Sequence, residues 1–196
     1  MPPERLRIIA WAGVVAAAVV LVAAAQFGGS EDGMRSVVRT SAKIGVICFS
    51  LAFCASSLRI FWRAPASAWL LRNRRYMGLS FALFHFLHLA ALGALALSFP
   101  AFRDALSPVT LLGGGTVYGF VAAQALTSND RSVRLLGRRR WTLLHTVGSY
   151  AIWGVFTGSY LPLALAAPPY VPYLVVLVAA MGLRIARRLR AVRASA

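Results

Sequence analysis

The stretch RRYMGLSFALFHFLHLAALG, residues 74–93, decides how the chain is read. After two arginines it is apolar enough to sit in lipid, yet it carries His85 and His88 three positions apart. The chain has one further histidine, His145, in RRRWTLLHTVGSY. Polar rings in hydrocarbon are costly unless paired or bound. The three histidines therefore raise one question, whether they form a site.

Outward from this stretch, apolar runs recur along the chain. Hydrophobic residues make up 59% of the 196 and charged residues only 13%, about half the charged share of a water-soluble domain. Each run approaches the roughly 20 residues that a helix needs to cross a bilayer. The expected fold is an all-α integral membrane protein, a bundle of six transmembrane helices near 8–26, 43–62, 77–99, 108–127, 141–163 and 170–187. Breakers separate them: GGSEDG, RAPAS, SFPAF, TSND and LAAPPY. No long linker, repeat or soluble domain intervenes, so residues 1–196 read as a single transmembrane domain. The first apolar run resembles a signal peptide but is long enough to span, and it is read as a retained helix.

The formal net charge is +16. In a soluble protein this would suggest nucleic acid. Here the charge sits in short loops, and topology accounts for it. With the N-terminus, second loop, fourth loop and C-terminus on one side, seventeen basic residues lie there. Only Arg35, Arg39, Lys43 and Arg103 lie on the other. That asymmetry predicts cytoplasmic N- and C-termini. Cys48 and Cys54 lie six residues apart on one span. That is about 240° of helix rotation, so they do not bridge each other.

Each histidine has an ordinary alternative, donation to a carbonyl of a neighbouring helix. None of the five acidic residues lies deep in a span, so a carboxylate–histidine proton relay lacks half its parts. Zinc prefers three or four ligands, often with thiolate or carboxylate. Haem needs only one or two axial imidazoles and an apolar slot between helices. His145 on the fifth span and His85 or His88 on the third are the candidate ligands. Gly148, one turn from His145, and Gly78, two turns before His85, would let a flat ring approach, or would serve helix packing. Arg75 and Arg140, with Arg74 and Arg138, sit where haem propionates would be paired, or serve topology alone. Depth complicates the pairing. His145 lies about 7–8 Å beyond Arg140 along its helix, whereas His85 and His88 lie about 15 and 20 Å beyond Arg75. Depth alone favours His85 as the partner of His145.

Two segments carry a family resemblance. LLRNRRYMGLSFALFHFLHL resembles the Arg-Arg-x-x-Gly-Leu lead-in to a ligand histidine in the ferric reductase-like transmembrane superfamily. LTSNDRSVRLLGRRRWTLLHTVGSY is similar to the Thr-Ser, Leu-Gly, Arg-x-x-Trp, Leu-His and Tyr pattern of one branch. That branch is the haem-binding membrane subunit of the bacterial periplasmic methionine sulfoxide reductase system. The likeness covers about residues 44–165. It implies one b-type haem held by His88 and His145, with His85 nearby as support or alternative ligand. Branch members often carry another histidine where this chain has Gly158. Flavin mononucleotide is also implied for the branch, though no residue here requires it.

The expected function is an electron-transfer subunit in the bacterial inner membrane. Electrons would come from quinol or a cytoplasmic flavin reductase and leave to a soluble periplasmic redox partner, a sulfoxide reductase for instance. The alternatives are the transmembrane component of a ferric or cupric reductase, and a haem-free small transporter or scaffold.

Overall fold

The structure, a computed structural model, describes residues 3–194, with side chains from Leu6 onward. The side chain of Arg5, part of the charge asymmetry, lies outside the described residues. The helices are α1 (Pro3–Phe27), α2 (Glu31–Phe61), α3 (Pro65–Ser98), the short α4 (Pro100–Asp104), α5 (Pro108–Leu126), α6 (Asp130–Ala166) and α7 (Val171–Arg193). A 3-10 turn, Pro168–Tyr170, joins the last two. Among the described residues no strand forms.

The boundaries follow local chemistry. Proline opens α3, α4 and α5 at positions where a missing N–H costs nothing. Ser30, Ser107 and Asn129 accept from Gly33, Thr110 and Ser132 N–H groups at 3.3, 3.1 and 2.8 Å, which caps α2, α5 and α6. Gly28, at φ 59°, makes the turn between α1 and α2.

Three helices begin well before the expected spans. α2 starts at Glu31, α3 at Pro65 and α6 at Asp130, rather than near 43, 77 and 141. Hydropathy marks only the lipid-facing part of a helix. The polar lead-ins are rich in arginine, a good helix former, and carry caps of their own. α6 is bent at Gly137 (φ 74°, ψ 149°), which divides the arginine-rich lead-in from the main helix.

Five helices, α1, α2, α3, α5 and α7, are long and apolar enough to cross a membrane. α6 is longer than any of them, at 37 residues, but has no stretch apolar enough to count with them. The core lies between α2, α3, α5, α6 and α7, around Phe49, Phe81, Val121, Ile152, Phe156 and Leu177. Phe49 stacks on Phe53 at 5.3 Å and meets Phe156 edge-on at 5.4 Å. α1 packs to one side through Ala23, against Val37 and Ala91. Apolar residues such as Leu97, Val109, Leu112 and Leu165 are more than 70% exposed. Lipid is the solvent that tolerates such a surface.

Candidate functional site

A cavity of about 960 Å³ opens between α2, α3, α5, α6 and α7, at the upper end of the size of small-molecule sites. Gly78 and Arg75 of α3, Gln124 of α5, His145 of α6, and Arg184 and Arg187 of α7 are on its wall. It lies toward the N-terminal ends of α3 and α6 and the C-terminal ends of α2, α5 and α7. Among the described residues the only acidic one on its wall, Asp130, receives Arg75 at 2.6 Å.

The residues around His145 form a small network. Its ring stacks on Trp141, one turn earlier, at 4.1 Å between centroids. Its Nε2 lies 3.0 Å from the Thr127 hydroxyl. That hydroxyl donates to the Ala123 carbonyl at 2.6 Å. In the tautomer that carries its hydrogen on Nε2, His145 donates to Thr127 Oγ1 and keeps the Nδ1 lone pair. Trp141 Nε1 donates to the Thr127 carbonyl at 2.8 Å, and Gln124 Nε2 donates to the His145 carbonyl at 3.4 Å.

His85 and His88 occupy a different level. His88 Nδ1–H donates to the Val38 carbonyl of α2 at 2.9 Å. A carbonyl only accepts, so Nδ1 holds the hydrogen and Nε2 the lone pair. Many metal-binding histidines are locked in this way. His85 is 6% exposed, and its Nδ1 has no hydrogen-bond partner. Its ring lies parallel to that of His88 (5.6 Å, 3°) and stacks on Tyr118 of α5 (4.5 Å). Phe81 and Phe156 close the remaining sides at 5.2 and 5.4 Å.

Two helices measure the separation. Phe156, which touches His85, is eleven residues beyond His145 on α6, a rise of about 16 Å. Tyr118 and Thr127, which touch His85 and His145, are nine residues apart on α5, about 14 Å. The depth mismatch foreseen from the sequence persists. His85 and His88 come together, and along these two helices His85 stands about 14–16 Å from the level of His145.

The other expected residues divide as well. Gly78 and Arg75 are on the cavity wall. Gly78 has open space where a Cβ would stand. Gly148 is buried instead against α5. A Cβ there would run into the Gln124 amide and stand 2.9 Å from Phe120. Gly148 therefore serves close helix packing. Arg140 is exposed and off the cavity. Among the described residues no cluster of three or more His, Cys, Asp or Glu forms a metal centre.

Thr127, Trp141, Gln124, Tyr118 and Arg184 carry no signal of the site in their residue chemistry alone. Thr127 and Trp141 did stand in the family pattern, and both lie against the His145 ring. They orient its ring.

Comparison with known proteins adds one relative. No protein-family model matches the chain, and no solved structure does. Over 150 residues, 71% of this chain, it is 32% identical to the "Protein-methionine-sulfoxide reductase heme-binding subunit MsrQ" of Azospira oryzae. The chain belongs to the MsrQ-like family. It spans about 60% of the length of that MsrQ. Thr127 and Trp141, which meet at His145, belong to one of the two segments through which the family pattern was legible.

Proposed function

We propose that the chain is a haem-binding electron-transfer subunit of a bacterial inner membrane, working with a methionine sulfoxide reductase. In this reading it is a single membrane domain of six spans, α6 included, with both termini cytoplasmic. One b-type haem is its resident cofactor. Quinol or a cytoplasmic flavin reductase supplies electrons, and a soluble periplasmic enzyme receives them.

The observation that carries this reading is His145 on the wall of the 960 Å³ cavity. The ring is held by Thr127 and Trp141, and the tautomer that donates to Thr127 leaves a lone pair on Nδ1. The likeness to an MsrQ named as heme-binding supports the choice of cofactor. When bound, a haem supplies one-electron oxidation and reduction, which the side chains themselves lack. The chain's own residues do the rest. His145 anchors the group from α6. Gly78 leaves room against α3, and Arg75 sets positive charge at the rim.

The cavity supports His145 as a ligand more directly than it supports a pair. His88 has the tautomer suited to a second ligand through Nε2, and the family pattern assigns it that role. His85 is the shallower alternative. A single haem bridging either of them to His145 requires α3 and α6 to slide along each other from the arrangement described above. A haem held by His145 alone requires no such slide.

An absorption spectrum of the purified protein tests the reading. A Soret band that sharpens on dithionite reduction, with resolved α and β bands, is expected. A preparation that stays colourless after haem supplementation rejects it.

A further inference from the structure

Arg184 stands where topology does not need it. The basic run that ends α7 is Arg187, Arg188, Arg190 and Arg193. Arg184 comes a turn earlier and reaches into the bundle. Its Nη1 donates to the Phe53 carbonyl at 2.9 Å and its Nε to the Tyr150 hydroxyl at 3.3 Å. The guanidinium carbon lies 4.1 Å from the Phe53 ring centroid and 4.9 Å from that of Tyr150. Phe53 is eight residues inside the end of α2 at Phe61, about 12 Å along the helix.

None of these partners is an anion. Among the described residues the ion pairs are Glu31–Arg35, Asp130–Arg75 and Asp104–Arg103, and Arg184 belongs to none. A charge held this way in a membrane helix is expensive. Helix tethering does not require it. Trp153 Nε1 ties α6 to α7 through the Leu177 carbonyl at 3.0 Å with a neutral group. The charge of Arg184 is thus surplus to its structural work, and it borders the same cavity as His145.

We propose that Arg184 is a positioning residue for charge: it presents an unneutralised cation to the redox group in the cavity and stabilises that group's electron-rich form. This rests on the haem reading above. One added electron makes the bound group more negative by one unit, which a fixed cation favours. For charges about 10 Å apart in an effective dielectric of about 20, the reduction equilibrium shifts by roughly tenfold. For a one-electron couple tenfold is about 59 mV.

The test is a redox titration of the full chain in detergent or nanodiscs, followed at the Soret band. Arg184→Gln keeps hydrogen-bond donors and removes the charge. Its midpoint potential is expected to fall by about 59 mV with the band retained. Arg184→Lys, which keeps charge without the fork, is expected to stay near wild type. Arg188 also lies over Tyr150, at 5.3 Å, but is off the cavity wall, so Arg188→Gln is expected to move the potential far less. Equal potentials for Arg184→Gln and wild type, both with haem, overturn this proposal alone. If Arg184→Gln loses its haem, Arg184→Lys decides. Retained haem at an unchanged potential upholds the charge, and loss of haem overturns it. A wild-type protein that takes up no haem overturns the underlying reading and this proposal with it.

Discussion

The bundle holds two histidine environments built on opposite terms. At the arginine-rich end His145 borders a cavity, bonds to a threonine hydroxyl and stacks on Trp141. About 14–16 Å further along the helices, His85 and His88 lie face to face, with Tyr118, Phe81 and Phe156 around His85. The first region has space and polar partners. The second is filled by rings, and it leaves the His85 Nδ1 and the Tyr118 hydroxyl buried without hydrogen-bond partners. Room for a large ligand and polar groups in need of one occur in different places. A shared prosthetic group would have to reconcile them.

The largest expected effect separates the two regions outright. His145→Ala removes the one histidine on the cavity wall and is expected to abolish haem binding, read as loss of the Soret band at equal protein concentration. A His145→Ala protein with its full band would transfer the site to the other region.

Next in size is the contrast on α3. If α3 and α6 slide into register, His88→Ala loses the low-spin spectrum while His85→Ala keeps a haem with a shifted potential. If His145 binds alone, both variants retain haem of wild-type spectrum. Magnetic circular dichroism or low-temperature electron paramagnetic resonance distinguishes bis-imidazole from single-imidazole ligation. Loss of the low-spin signal in His85→Ala but not in His88→Ala would favour depth over the family pattern.

Much of this contrast was legible in the sequence. The helical class and most breakers follow from hydropathy and from Gly, Pro and Asn. The depth conflict followed from counting residues between arginine and histidine at 1.5 Å each, and the structure keeps it. Helix starts were not legible, because Glu31, Pro65 and Asp130 open helices before the chain becomes apolar. The role of Gly148 was not legible either. Open space and close packing call for the same residue, and only the position of Gln124 and Phe120 separates them. Arg184 hid in a basic run, since one-dimensional spacing does not show which arginine turns inward.

The two glycines sharpen the boundary of the cavity at a smaller scale. Gly148→Ala forces Phe120 and the Gln124 amide aside. It is expected to cost about 1–3 kcal/mol, the usual range for overpacking. Gly78→Ala meets nothing within 4 Å and gains helix propensity, so it is expected to be neutral or slightly stabilising. Thermal unfolding in detergent, followed by circular dichroism at 222 nm, compares them. A Gly148→Ala protein as stable as wild type would mean that α5 and α6 are not in contact there.

The smallest effect belongs to the cavity mouth. Arg75 and Asp130 join α3 to the arginine-rich lead-in of α6, at 2.6 Å, with side chains 34% and 75% exposed. Exposed pairs contribute about 0–1 kcal/mol and fade with salt. Asp130→Asn is therefore expected to leave unfolding nearly unchanged. Its consequence is electrostatic. Among the described residues Asp130 is the only carboxylate on a wall that also carries Arg72, Arg74, Arg75, Arg184 and Arg187. Neutralising it adds one unit of positive charge to the cavity, so a bound haem should titrate at a higher potential, opposite in sign to Arg184→Gln. Because Asp130 is exposed, the shift should shrink between 50 mM and 500 mM salt more than that of Arg184→Gln does. Equal salt sensitivity for the two would place both charges in water, and would erase the distinction between the rim of the cavity and its interior.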